Sequence, residues 1–430
     1  MFEFDKGQRV PIAGGGDAIV LSTMGFGGNG CVYRVLYNGR EYALKWYNTS
    51  SNYNTDKFYA NICANVKKGF PNKLMLWPLF VTERLNKSYG YLMDVCPENY
   101  KPLTNFILGK EKFKSLSAMI NSAFNLLSVI REMHSRRLRY LDFHENFVLI
   151  DPSTGDIRMT DADTIAVFGQ KFGIAQKCRY MAPELVLGEK EPDIQTERHS
   201  LAVVLFLLLF GQHPLEGRKV LVSCLTDDKE RKFFGSEPVF IYDPLDNTNR
   251  PVNGIHKSVI QRWAMFPSYV LDLFVKAFSK ERLKGQKPRI TEHEWLEMFI
   301  RLSDSVICCP QCGTETFVTA GKDSSCINCA VTIPKLPYLK IGRYEAVMYP
   351  GKKLYQCHID PDSDHFSREV VVVLRNPQKP TIWGLRNLSN ESWRYENKEG
   401  EEKILAPNDV VVLLRIKTIR FDKTCGTMLY

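Results

Sequence analysis

The chain has 430 residues, 44% hydrophobic and 24% charged, with a formal net charge of +9, which suits a soluble globular protein of two or three domains. Its longest apolar run, Leu201 to Phe210, is too short to span a bilayer, and the first residues lack the basic region and apolar stretch of a signal peptide, so a cytoplasmic location without membrane contact is expected. The positive charge is spread out rather than gathered into a tract, which fits a solvated basic surface better than nucleic-acid binding, and four of the twelve cysteines share one cluster, as in a reducing compartment with a metal site.

Strand-like runs begin around Ile19 to Leu21 and continue at Val32 to Leu36 and Tyr42 to Trp46. Between the first two lies Gly25-Phe-Gly27-Gly-Asn-Gly30-Cys-Val32, a turn whose glycines let backbone approach a phosphate. A polar helix is expected from Asn54 to Lys68, then strands at Leu76 to Val81 and Tyr89 to Val95. Leu116, Met119, Ile120, Ala123, Leu127, Ile130 and His134 recur at the spacing of one helix face, and that helix should end near Ser135.

A basic connection then leads to Tyr140-Leu141-Asp142, an apolar strand from Phe147 to Ile150, the turn Asp151 to Gly155, and a second strand, Ile157 to Met159. This delivers Asp161 nineteen residues after Asp142. Two carboxylates on the loops of a hairpin can serve as a base and a metal ligand, as phosphoryl transfer requires; they can equally be acidic turn residues. Tyr180 to Glu184, an apolar helix over Thr196 to Gly211, and Lys287-Pro-Arg289 follow, with mostly helical residues from 218 to 300 interrupted by a loop around Phe240 to Gly254. The helix containing Trp295 to Leu302 closes this region.

From about residue 15 to 300 these motifs come in the order of the protein kinase family, which the chain resembles. The resemblance implies an α+β, two-lobed kinase-like fold, with a small lobe over 15–97 and a large lobe over 98–303. It implies that Gly25, Gly27, Gly30 and Val32 cover the nucleotide and Lys45 of Tyr42-Ala-Leu-Lys45 holds the α and β phosphates of ATP. Met93 would back the pocket, and Asp94 to Cys96 would form the hinge that meets adenine. Asp142 would accept the substrate hydroxyl proton, Asp161 would bind Mg²⁺, and Arg289 would pair with Glu184.

The sequence also departs from the family. No glutamate lies between Trp46 and Phe70, so the acid that usually orients the lysine is missing and Ala60, Asn61 or Cys63 falls in its place. The arginine before the catalytic aspartate is Leu141, so activation through it by segment phosphorylation is not expected. His144 stands where a lysine or arginine is usual; it can donate to phosphate but is only partly charged. The metal-binding asparagine is expected at Phe147, and Asn146 would serve only if the loop slips by one residue rather than holding strand register. Asp161-Ala-Asp163 replaces Asp-Phe-Gly; Asp163 would support a second ion or, the preferred reading, cap the following turn.

Beyond residue 307 the composition changes. Cys309-x-x-Cys312 and Cys326-x-x-Cys329, thirteen residues apart, have the spacing of a tetrahedral Zn²⁺ site in a zinc ribbon over 307–333, with Cys308 a bystander. The remainder, 336–430, is β-rich, with strands expected at Glu369 to Leu374, Ile382 to Arg386 and Val410 to Phe421; its run from Trp383 to Trp393, followed by Ala406-Pro-Asn-Asp409 and Lys417-Thr-Ile-Arg-Phe421, resembles the second half of a forkhead-associated β-sandwich. That family binds phosphothreonine; here Gly342-Arg343 is distant, Ser367-Arg368 lacks the histidine, and Asn390 precedes a glutamate, so a docking module is the other reading. The whole order is similar to the kinase of the bacterial tellurite-resistance-associated phosphorylation triad, which implies a von Willebrand factor A-type protein and a metal-dependent phosphatase as partners. The expected function is an atypical Ser/Thr kinase acting from Mg-ATP on a protein; the alternative is a pseudokinase scaffold that binds nucleotide without transfer.

Overall fold

The computed structural model describes residues 4–170, 172–173, 176–222, 224–363 and 368–430. It divides into two compact units, one made of residues 1–114, 121–264 and 271–295, the other of 115–120, 265–270 and 296–430.

The first unit opens with a six-stranded antiparallel sheet in the order β1-β2-β3-β4-β6-β5, from β1 (Arg9–Pro11), β2 (Asp17–Gly27), β3 (Gly30–Tyr37), β4 (Arg40–Tyr47), β5 (Phe80–Val81) and β6 (Gly90–Met93). β3 alternates buried and half-buried residues along its length, the period of a strand with one face on a core. Helix α1 (Asp56–Lys68) lies between β4 and β5 in sequence; the Thr55 hydroxyl caps it by accepting from the Phe58 amide. Phe58 and Ile62 of α1 share a core cluster with Tyr47, Tyr53, Tyr89 and Tyr91.

The chain continues with β7 (Lys101–Pro102) and the helices α2 (Leu103–Ile107) and α3 (Leu116–Ser135), then β8 (Leu138–Tyr140), β9 (Val148–Ile150), β10 (Ile157–Met159) and β11 (Ile165–Val167). β9 and β10 form an antiparallel hairpin and β11 pairs with β8, so Asp142 and Asp161 leave two neighbouring ladders. Helix α4 (Pro183–Val186) follows, then α5 (Ile194–Phe210), which is buried on all sides from Leu201 onward and so lacks a polar stripe. Asp193 and Thr196 cap α5 reciprocally, and Gly211 ends it in the left-handed region. The helices α6 (Asp227–Glu230), α7 (Lys257–Met265), α8 (Ser268–Ala277), α9 (Lys280–Leu283) and α10 (Glu292–Asp304) complete the helical region.

The second unit holds two short hairpins, β12 (Val306–Cys308) with β13 (Glu315–Phe317) and β14 (Ser324–Ser325) with β15 (Thr332–Ile333). A β-sandwich follows. One sheet has the order β17-β16-β25-β24-β21-β22, from β16 (Tyr338–Ile341), β17 (Tyr344–Val347), β21 (Trp393–Asn397), β22 (Glu402–Leu405), β24 (Ile416–Arg420) and β25 (Cys425–Leu429). The other has the order β18-β19-β20-β23, from β18 (Lys353–Tyr355), β19 (Glu369–Arg375), β20 (Trp383–Asn387) and β23 (Val410–Val412). Their inner faces share one core that includes Leu339, Leu354, Val371, Leu385, Trp393 and Ile419. No helix among the described residues is long and apolar enough to cross a membrane.

Candidate active site

A cleft of about 570 Å³ is lined by the Gly25 to Gly30 turn, Val32, Lys45, Tyr53 and Met93, and by Asp142, His144, Asn146, Phe147, Asp161 and Lys177. The turn joins β2 to β3. A Cβ at Gly30 would lie 2.0 Å from the Trp46 carbonyl oxygen, so the approach of β4 demands glycine there. At Gly25 a Cβ would meet nothing within 4 Å, and at Gly27 only one backbone oxygen at 3.8 Å. The fold therefore leaves the space beside those two glycines free for a ligand. A larger cavity of about 760 Å³ lies among residues 236–248 and 275–284 and contains none of the motif residues.

Lys45 sits on β4 opposite Tyr91 of β6, and Tyr47 is two residues further along the same strand face. The Lys45 ammonium is ion-paired with Asp161 and lies 3.0 Å from an Asp163 carboxylate oxygen. Burial works against this ammonium, but Asp161 and Asp163 outweigh it and hold its pKa above the ordinary value. Asp163 is fully buried and accepts from Lys45, from the Tyr91 hydroxyl at 2.7 Å and from the Tyr47 hydroxyl. Burial, then Asp163, push both phenols well above their usual range, so they remain protonated donors.

Asp163 thus neither caps the turn nor stands free for a second ion, correcting the expectation from the sequence; it is the acid of Lys45. Helix α1 supplies amides instead. Asn61 and Asn65 both donate to the Ile165 carbonyl oxygen, at 2.9 and 3.1 Å, and tie the helix to β11.

Asp142 is buried and accepts from the Lys177 backbone amide at 3.0 Å. Burial raises its pKa, against the lowering effect of that amide and of the Lys177 charge. His144 differs from the sequence expectation of partial charge. Burial and then Lys177 lower its pKa to about 4, so the ring is neutral at physiological pH. Its Nδ1 accepts from the Asn146 amide, which leaves the proton on Nε2, 3.7 Å from an Asp142 oxygen.

Phe147 is not in strand register. Residues 145–147 form a 3₁₀ turn before β9, with Phe147 buried against Tyr140 and His144, while Asn146 is exposed on the cleft wall and accepts from the Thr104 hydroxyl. Asp161 has left-handed backbone, φ 53°. Met93 ends β6 at the cleft, whereas the Asp94 carboxylate turns outward to Arg40, 2.6 Å away, and Cys96 packs half-buried against the core cluster that also holds Tyr91, Leu141 and Ala166. Arg289 grips Glu184 through two hydrogen bonds of 2.6 and 2.7 Å. Sequence reasoning missed Tyr47, Tyr91 and Lys177. Tyr47 was visible two residues beyond Lys45 in the alternation of Tyr42-Ala-Leu-Lys-Trp-Tyr47, but Tyr91, on β6, and Lys177 carried no local signal.

In the second unit the sulfurs of Cys309, Cys312, Cys326 and Cys329 all lie within 4.8 Å of one another, with Cys309–Cys329 and Cys312–Cys326 separations of 3.7 Å. Four sulfurs about 2.3 Å from one tetrahedral zinc ion would be about 3.8 Å apart, so the set fits that metal. Each pair lies on a tight turn closed by a bond to the first cysteine's carbonyl, from Gly313 in one and Ala330 in the other, both with positive φ. Hydrogen bonds from Thr314 and Asn328 lower the Cys312 thiol to about 5, towards the thiolate a metal needs. Cys308 stands outside the cluster. In the sandwich, Arg343 is ion-paired with Glu297 rather than free for a phosphate, and Ser367 lies outside the described residues.

No curated protein matches the chain. The family model "Protein kinase domain" matches residues 19–282, which hold the glycine turn, Lys45, Asp142, Asp161 and Asp163, and so the chain belongs to the protein kinase family.

Proposed function

We propose that this chain is an atypical Ser/Thr protein kinase that transfers the γ-phosphoryl group of ATP to a hydroxyl of a protein partner. The observation that carries the proposal is the pairing of Lys45 with Asp161 and Asp163, which rebuilds from one turn the charge set that the missing helix glutamate would have completed. Gly25, Gly27, Gly30 and Val32 would cover the nucleotide, Met93 would back it, and the backbone from Asp94 to Cys96 would meet adenine. Asp161 and Asn146 would hold Mg²⁺, which when bound offsets phosphate charge. Lys45 orients the phosphates. Asp142 takes the proton of the attacking hydroxyl; that oxygen bonds to the γ-phosphorus as the bond to the bridging oxygen breaks and ADP departs. An upward-shifted Asp142 is the better base for this step. His144, neutral and directed towards Asp142, would position that carboxylate.

Cys309, Cys312, Cys326 and Cys329 would hold a structural zinc ion in a ribbon, and the forkhead-associated-like sandwich would dock partners. Similarity to the tellurite-resistance-associated triad suggests a bacterial stress-signalling role, with a von Willebrand factor A-type protein and a metal-dependent phosphatase as partners.

One observation favours the pseudokinase alternative: the Asn146 carbonyl oxygen already accepts from Thr104. The deciding experiment is transfer of labelled γ-phosphate from Mg-ATP to the chain itself and to a candidate partner. Incorporation abolished by both Asp142→Ala and Asp161→Ala supports a kinase; nucleotide binding with no incorporation above those variants supports the scaffold.

A further inference from the structure

Three side chains of cationic type line the cleft: Lys45, His144 and Lys177. They are not equivalent. Lys45 is committed to Asp161 and Asp163. His144 is packed against Phe147 and Tyr180, its ring centroid 4.3 and 5.8 Å from theirs, and its Nδ1 already accepts from the Asn146 amide. Neither group is placed to neutralise a further unit of phosphate charge.

Lys177 is. It comes from the segment preceding Ala182-Pro-Glu184, thirty-five residues beyond Asp142, and its backbone is fixed there: its amide donates to Asp142 at 3.0 Å, and the neighbouring Gln176 carboxamide donates to the Leu141 carbonyl oxygen. The side chain is solvent-exposed and, among the described residues, makes no ion pair within 4 Å. Lys177 thus lines the cleft from a backbone held on Asp142, and its charge acts on that carboxylate from beyond ion-pair distance.

We propose that Lys177 binds the γ-phosphoryl group of ATP and balances its charge during transfer, supplying from the activation segment the cation that position 144 of the catalytic loop lacks. The proposal rests on the kinase assignment for this cleft. Lys177 exchanges no proton in the step: the phosphorus–oxygen bond to ADP breaks, the bond to the acceptor oxygen forms, the hydroxyl proton goes to Asp142, and the ammonium stays against the moving phosphoryl oxygens. A flexible point charge suits a group that shifts position between donor and acceptor. It also makes the phosphate-binding set depend on the position of the segment, because Lys177 and the amide that bonds Asp142 move together.

The test compares two nucleotides on the full-length chain with Mg²⁺: ADP, and a non-hydrolysable β,γ-imido analogue of ATP. Affinities are measured by calorimetry for the native chain, Lys177→Met, Lys177→Arg and the double variant Lys177→Met with His144→Lys. Loss of a hydrogen-bonded charge contact to the third phosphate predicts that Lys177→Met weakens the analogue about tenfold or more while ADP changes by less than about twofold. Arginine should retain most of the difference, and lysine at position 144 should restore part of it, with labelled transfer following the same order. Equal weakening of ADP and analogue, or no change in either, overturns the role of Lys177 while leaving the kinase assignment intact. Failure of the native chain to bind either nucleotide overturns both.

Discussion

Replacing Asp163 by asparagine keeps the shape of the side chain and removes its charge. In the native chain its two oxygens accept from the Lys45 ammonium, the Tyr47 hydroxyl and the Tyr91 hydroxyl, with no solvent access. Asparagine has one acceptor oxygen, so its amide nitrogen must face one of the phenol donors, and Lys45 keeps only Asp161. Breaking a buried ion pair by removing one partner costs about 3–5 kcal/mol; with Asp161 still beside the ammonium the lower end applies, about 3 kcal/mol. For a domain of this size that corresponds to a fall in Tm of roughly 6–12 °C. Loss of a fixed position for Lys45 should reduce phosphoryl transfer by about a hundredfold. The assay is thermal melting with and without Mg-ATP, paired with labelled transfer at saturating ATP. A melting temperature within about 2 °C of the native value together with transfer within about twofold of it, in a preparation where Asp142→Asn is inactive, would refute the assignment of Asp163 as the acid of Lys45.

Arg289→Ala should leave the Glu184 carboxylate buried without its bidentate partner and cost about 3–5 kcal/mol, read as a lower denaturation midpoint. His134 lies between Glu292 at 2.9 Å and Glu197 at 3.2 Å; although burial opposes its charge, those carboxylates raise its pKa to about 9. Its folded value exceeds its unfolded one, so the stabilisation of about 3 kcal/mol is fully present below about pH 6.5 and lost as pH rises through about 9. His134→Gln should flatten that part of the stability profile, measured by urea denaturation from pH 6 to 10. The purified chain should carry one equivalent of zinc, released to a chelator with loss of structure around residues 307–333, and Cys309→Ser should abolish it in a metal analysis.

The motifs that encode backbone shape were legible in order. Glycine at 30 is demanded by the carbonyl of Trp46, and the alternation of β4 put Lys45 on one face with Tyr47. What the sequence did not disclose were partnerships across long separations. An absent helix acid announced that Lys45 needed another carboxylate, but Asp163 becomes that carboxylate only because β4 and β6 bring two phenols to bear on it, more than seventy residues from the nearer one. Asn146 reached the cleft wall because a 3₁₀ turn replaced the first residue of the expected strand. In the C-terminal region, Glu369 and Trp383 announced their strands, whereas the run from Val410 to Phe421, expected as one strand, divides at a 3₁₀ turn over 413–415 into β23 and β24 of different sheets, and β16 to β18 are so short that their alternation did not stand out.

In many kinases the lysine and its acid lie on parts that move independently, so that swinging a helix connects or disconnects them. Here both acids of Lys45 belong to the same three-residue stretch, and α1 is fastened by Asn61 and Asn65 to the strand that follows it. Displacing the helix would have to drag its own anchor with it. A protein wired in this way lacks the connection that a swinging helix makes and breaks between lysine and acid.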